Sequence, residues 1–170
     1  AAPRVLTTPV RRATPTGAVQ AGPGRNLALT VRDGADVQAV NALLDLGIKL
    51  RHTGAATVVV PSSARREAER VASRFGVRFT AAPGGSTGTP FTKPVIAAAV
   101  SADELFALRE MGFDVRTVST ALLNAGTSLD GADTLVVSSG LSYAALNPTG
   151  RATVDAYLAS GGVVTRGATG

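Results

Sequence analysis

The stretch "KPVIAAAVSADELFALREMGFDVRTVS", residues 93–119, decides the fold. It opens with an apolar run through Val100 that no polar residue interrupts, the composition of a strand buried on both faces. Ser101 and Glu104 then stand at capping-box spacing, and Leu105, Leu108 and Met111 recur at the helical period. "FDVRTVS" reads as a second strand. Strand, helix and strand in this order begin the pattern of an open, mostly parallel sheet.

The same grammar continues downstream. "LDGADTLVVSSG" (129–140) reads as a strand centred on Leu135, Val136 and Val137. In "NPTGRATVDAYLASGG" (147–162), Asn147 is placed to cap a helix, Pro148 to occupy its first position and Gly161-Gly162 to end it. "VVTRG" (163–167) reads as a last strand. Upstream, "NLALTV" (26–31) and "ATVVV" (56–60) read as strong strands, and "IKLRH" (48–52) as a half-buried one. Val37, Val40, Leu43 and Leu44 share a helical face that Gly47 terminates. Ala64, Ala68, Val71, Ala72 and Phe75 line a second helix, with Ser62 or Ser63 as cap and Gly76 as stop.

These elements predict an α/β protein: an open, mostly parallel sheet or sheets with helices on the faces. Composition shifts mark four segments. Residues 1–25 read as an extended linker or tail, 26–80 as a small α/β unit, 81–92 as a Pro/Gly/Ser/Thr hinge, and 93–170 as a second α/β unit.

Bulk composition narrows the function classes. Hydrophobic residues make up 45% and charged residues 17%, enough for a packed core, while only 4% are aromatic. The net charge of +5 suggests nucleic acid until its distribution is considered. Arg4, Arg11, Arg12 and Arg25 lie in the acid-free first 25 residues, and the remainder carries 13 basic against 12 acidic side chains. With no basic face interleaved with aromatics, no nucleic-acid partner is expected. Nor is a membrane, since no apolar run approaches the roughly 20 residues a span requires. The missing initiator Met and the lack of a signal-peptide pattern are read as processing, or as excision from a longer chain.

Catalytic candidates are few. Cysteine is absent, which excludes thiolate chemistry and disulfides. His52 is the single histidine and stands in no zinc-binding spacing, so no metal site is expected in this chain. "GLSYA" (140–144) resembles a G-x-S-x-G elbow with alanine in the last place, making Ser142 a candidate nucleophile. The following "LNPTG" instead marks a polar loop running into the Asn147 cap. Carboxylate pairs such as Asp103–Glu104 and Glu67–Glu69 read as solvent-facing helix solubilisers. In open α/β sheets ligands sit beyond the carboxyl ends of the strands. That places a candidate ligand-binding cleft at Ser138, Ser139, Gly140 and Leu141, with Gly167 and Ala168 opposite.

Three stretches carry a family resemblance: "VQAVNALLDLGIKLRHTGAATVVVPSSARREAERVASRFGVRFTAAP", "KPVIAAAVSADELFALREMGFDVRTVS" and "DTLVVSSG…LNPTGRATVDAYLASGGVV". From about residue 26 the chain resembles the region that follows the catalytic domain in secreted actinobacterial zinc carboxypeptidases of the carboxypeptidase A-like family. The second half also resembles a class I glutamine amidotransferase-like domain of flavodoxin-like fold. Laid on "RGATG", that family's G-x-C-x-G elbow puts Arg166 at the first glycine, Ala168 at the cysteine and Gly170 at the last glycine. A methyl group therefore stands where the nucleophile would be. The amidotransferase-like pattern normally continues past this corner, so the second unit reads as truncated.

The resemblance implies a secreted, non-catalytic accessory region of a metallocarboxypeptidase. Zinc would belong to an upstream catalytic domain, no cofactor to this chain, and the partner would be the catalytic domain of its own parent. Its task would be docking or shaping substrate access. The alternative is an independent α/β module that binds a ligand or protein and has no peptidase partner.

Overall fold

The computed structural model describes residues 16–54, 56–84 and 88–166. It is an α/β protein with two separate sheets. The second is wholly parallel, in line with the mostly parallel sheet expected from the order of elements. There β7 (Val95–Ala99), α3 (Ala102–Glu110) and β8 (Asp114–Thr117) follow one another, with β7 and β8 parallel. α4 (Thr120–Asn124) leads back to β9 (Thr134–Val137), which pairs with β7 on its other side. α5 (Pro148–Ala159) then delivers β10 (Val163–Arg166) beside β9. The strand order is thus β10-β9-β7-β8, and the direction of travel reverses between β7 and β9.

Alternation along the strands divides the core. Ala97, Ala99 and Leu135 bury one face with Leu123 of α4 and Val154 and Tyr157 of α5. Ile96 and Ala98, also buried, point to the opposite face. β7 is lined with alanines, and this lets its neighbours approach closely on both sides. α3 packs against β8 without fully burying any residue, and Phe106 stays 65% exposed. The expected caps form: Ser101 and Glu104 close a capping box, and the Asn147 side chain accepts from Gly150 N.

The first unit is built differently. Its elements are β1 (Ala18–Gln20), β2 (Leu27–Thr30), α1 (Gly34–Asp45), β3 (Arg51–Thr53), β4 (Thr57–Val60), α2 (Arg65–Phe75), β5 (Arg78–Ala81) and β6 (Thr89–Pro90). They form a sheet ordered β1-β5-β2-β4-β3-β6, in which only β1 and β5 run parallel. The reason is local. Three residues join β3 to β4, far too few for a crossover, and Gly54 supplies the left-handed turn (φ 62°). α1 and α2 pack against each other over Leu27, Leu29, Leu43, Leu50, Val60 and Phe79. Neither Ser62 nor Ser63 caps α2. A single 3-10 turn over Ser62–Ala64 precedes it, and no side-chain bond satisfies its start.

Residues 18–20, within the segment read as linker or tail, are extended but add an edge strand to β5. Thr89 and Pro90, within the hinge segment, pair with β3. The first sheet therefore draws strands from both flanking segments.

Side chains of α1 complete the end of α3. Gln38 Nε2 donates to Glu110 O at 2.8 Å, and Asn41 Nδ2, buried, donates to Met111 O at 2.8 Å. Two carbonyls that a helix terminus leaves without partners are thus satisfied across the boundary between units.

Candidate functional site

The predicted cleft lies at the carboxyl ends of β7 and β9, where the strand order reverses. One carboxylate organises it. Glu104 Oε2 accepts from Ser101 N at 2.9 Å, from Ser101 Oγ at 2.9 Å and from Ser138 Oγ at 2.5 Å. Ser138 is thereby drawn onto α3, and Ser138 N and Gly140 N both donate to Ala99 O. Gly140 is required by proximity: a Cβ there would lie 2.6 Å from Ala99 C. Its own carbonyl accepts from Thr120 N, so β7, the β9 loop and α4 are bonded together at this point.

Of the six predicted cleft residues, four are described. Ser138 and Gly140 join the cluster just given, and Ser139 is exposed. Leu141 packs against the second core and, with Ser138, Leu158 and Val164, lines a hollow of about 540 Å³ beside α5. Gly167 and Ala168, with the rest of the "GATG" corner, lie outside the described residues.

Ser142 occupies the loop expected of it. Its N donates to Thr120 Oγ1, a 3-10 turn over Tyr143–Ala145 follows, and α5 starts after Asn147. His52 is on β3 of the first sheet, so the two are not brought together.

Glu104 corrects the solubiliser reading of the Asp103–Glu104 pair: it is half-buried and bonds three donors, whereas Asp103 is exposed. The capping-box spacing already tied Glu104 to Ser101. Ser138 lies 34 residues downstream, and only the strand order brings it near.

A second concavity was not anticipated. Between the two units lies a cavity of about 460 Å³. Val31, Val37, Val40 and Val58 line it from the first unit, and Phe91 and Phe113 from the connecting segment and the approach to β8. His52 stands at its wall, edge-on to Phe91 with ring centroids 6.1 Å apart. Next to Phe91, Lys93 spans the units. Its Nζ lies 2.7 Å from Asp45 at the end of α1 and 3.1 Å from Asp114 at the start of β8. Its side chain is only 13% exposed. Burial disfavours the ammonium, but the bonds and charges of Asp45 and Asp114 outweigh it and hold the Lys93 pKa above the usual 10.5.

These contacts could not be read from spacing, because Asp45 ends α1, Lys93 lies in the connection before β7 and Asp114 starts β8. Among the described residues, no group of three or more His, Asp or Glu side chains is placed to hold a metal ion. No helix among them is long and apolar enough to cross a membrane.

The chain matches no family model, no curated protein and no solved structure.

Proposed function

We propose that this chain is a non-catalytic accessory region of a secreted zinc carboxypeptidase-like protein, and that it docks on the catalytic domain of its own parent. The observation that carries the reading is the Glu104 cluster. At the strand-end cleft, where such sheets hold their ligands, Ser101 and Ser138 bond the carboxylate and Gly140 abuts Ala99. On the side facing α3 the cleft is closed by the protein's own groups, which suits a scaffold. Exposed apolar side chains that share the hollow beside α5 support docking there: Tyr143 (51% exposed), Leu158 (47%) and Val164 (46%). The family assignment itself, with zinc held upstream and secretion, rests on the sequence resemblance.

Intact mass and zinc content of the protein as its native source releases it test this reading. A species far larger than 17.1 kDa with about one zinc per chain supports it. A metal-free species of this size refutes it. The second reading, an independent binding module with a flavodoxin-like second half, is favoured by the cavity between the units, which a scaffold does not need.

A further inference from the structure

We propose that the cavity between the two units is a binding site for a compact, uncharged, mostly apolar molecule carrying one hydrogen-bonding group. The inference holds whether or not the chain serves a peptidase.

Three observations define the ligand. The volume of about 460 Å³ falls in the lower part of the range of about 300–1,000 Å³ typical of small-molecule sites. Valines and phenylalanines dominate the lining, which includes no Asp, Glu, Lys or Arg. The nearby charges of Lys93, Asp45 and Asp114 are spent on one another. The concavity is open along His52, Gly54, Ala56 and Thr92, but against its valine and phenylalanine wall a charged group would give up hydration with no counter-charge to offset it. An uncharged aromatic or branched body meets no such penalty.

The polar handle is His52. Asn41, Thr57 and Thr92 also border the cavity; the Asn41 Nδ2 is committed to Met111 O, and the threonines add only short hydroxyls, so the imidazole is the polar group of longest reach. The His52 backbone pairs in the sheet, while its imidazole makes an edge contact with Phe91 and no hydrogen bond to a described residue. A neutral imidazole offers one donor and one acceptor nitrogen, so a hydroxyl or carbonyl on the ligand is the matching group. Because both units contribute walls, the bound molecule contacts both.

The test is a fluorescence titration of the 170-residue chain with N-phenyl-1-naphthylamine, an uncharged apolar probe. The expected result is saturable one-site binding that Ala56→Trp weakens at least tenfold. Ala56 is exposed at the cavity, and its role in the sheet is through its carbonyl, which accepts from Val31 N. Val37→Trp obstructs the same space from α1 and serves if the first variant fails to fold. Leu158→Glu, in the hollow beside α5, is expected to leave binding unchanged. Competition then separates body from handle: 1-naphthol should displace the probe several-fold better than 1-methylnaphthalene, and His52→Ala should erase that preference. Absence of saturable binding, or binding lost in Leu158→Glu and retained in both tryptophan variants, overturns the site. A naphthol preference that survives His52→Ala overturns the role of His52.

Discussion

Replacing Gly140 by alanine tests the geometry of the strand-end cleft through a single methyl group. Gly140 needs no unusual backbone conformation, so its cost on substitution is steric alone. The added Cβ would lie 2.6 Å from Ala99 C and 2.9 Å from Ala99 O and Val100 N, all backbone atoms of the central strand. Reaching the 3.4 Å at which ordinary contact begins takes a displacement of about 0.8 Å. A shift of that size carries the Gly140 N–Ala99 O bond, now 3.1 Å, beyond hydrogen-bonding distance.

Overpacking costs about 1–3 kcal/mol and the lost bond about 1 kcal/mol, while the stiffer unfolded chain returns about 0.4–1 kcal/mol. The net expectation is a loss of roughly 1–3.5 kcal/mol. Both tyrosines, Tyr143 and Tyr157, lie in the second unit and tryptophan is absent, so intrinsic fluorescence reports that unit alone. With a urea slope of about 1–1.5 kcal/mol/M for a unit of this size, the midpoint should fall by about 1–3 M. Gly84→Ala, whose Cβ would meet nothing within 4 Å, is the control and should not lower the midpoint. An unchanged midpoint in Gly140→Ala would refute the close approach of the β9 loop to β7.

Three further outcomes follow from packing and charge. Gly150→Ala in α5 should destabilise by up to about 2 kcal/mol in the same assay, although alanine is ordinarily favoured over glycine in a helix by about 1 kcal/mol, because its Cβ would lie 2.6 Å from Asn124 Oδ1, which Asn147 N holds in place. Leu123→Ala should cost about 2–5 kcal/mol and show in tyrosine emission, whereas Leu43→Ala should cost as much in a transition that circular dichroism sees more strongly than tyrosine does. Lys93→Met should lose about 1 kcal/mol near pH 8, since Asp45 and Asp114 are 56% and 63% exposed. The Lys93 pKa is raised on folding, so its contribution is complete below about 10.5 and is lost as pH rises through the higher folded value. The urea midpoints of wild type and Lys93→Met should therefore converge above that pH. The Tyr143 pKa is also raised, chiefly by its bond to Asp155, and that alkaline loss is common to both proteins.

The second unit was legible because each of its principal elements carries its own signal. The uninterrupted apolar β7, the capping box of α3, and the Asn147-Pro148 start of α5 are all local, and local signals survive in sequence. α4 was not read, since five residues span too little of a helical period to show one. In the first unit, strand positions were legible but their directions were not. The three-residue link between β3 and β4 held the necessary clue, and alternation within each strand says nothing about its neighbour's direction. β1 was hidden by its surroundings: three residues amid Pro, Gly and Thr become a strand only because β5 offers an edge. The cleft position followed from strand order, whereas the Ser138–Glu104 bond and the cavity between the units depend on side chains far apart in the chain.

The sheet margins are unevenly defended against stray pairing. β8 carries Asp114 and Arg116, β6 is two residues long and contains Pro90, and β1 has only three residues. Charge, proline and brevity each discourage another chain from pairing there. β10 has none of these until Arg166: Val163, Val164 and Thr165 are all exposed on a strand that, among the described residues, has β9 on one side and nothing on the other. Self-association of the purified chain should therefore begin along β10, and Val163→Lys should suppress it while leaving both cores intact.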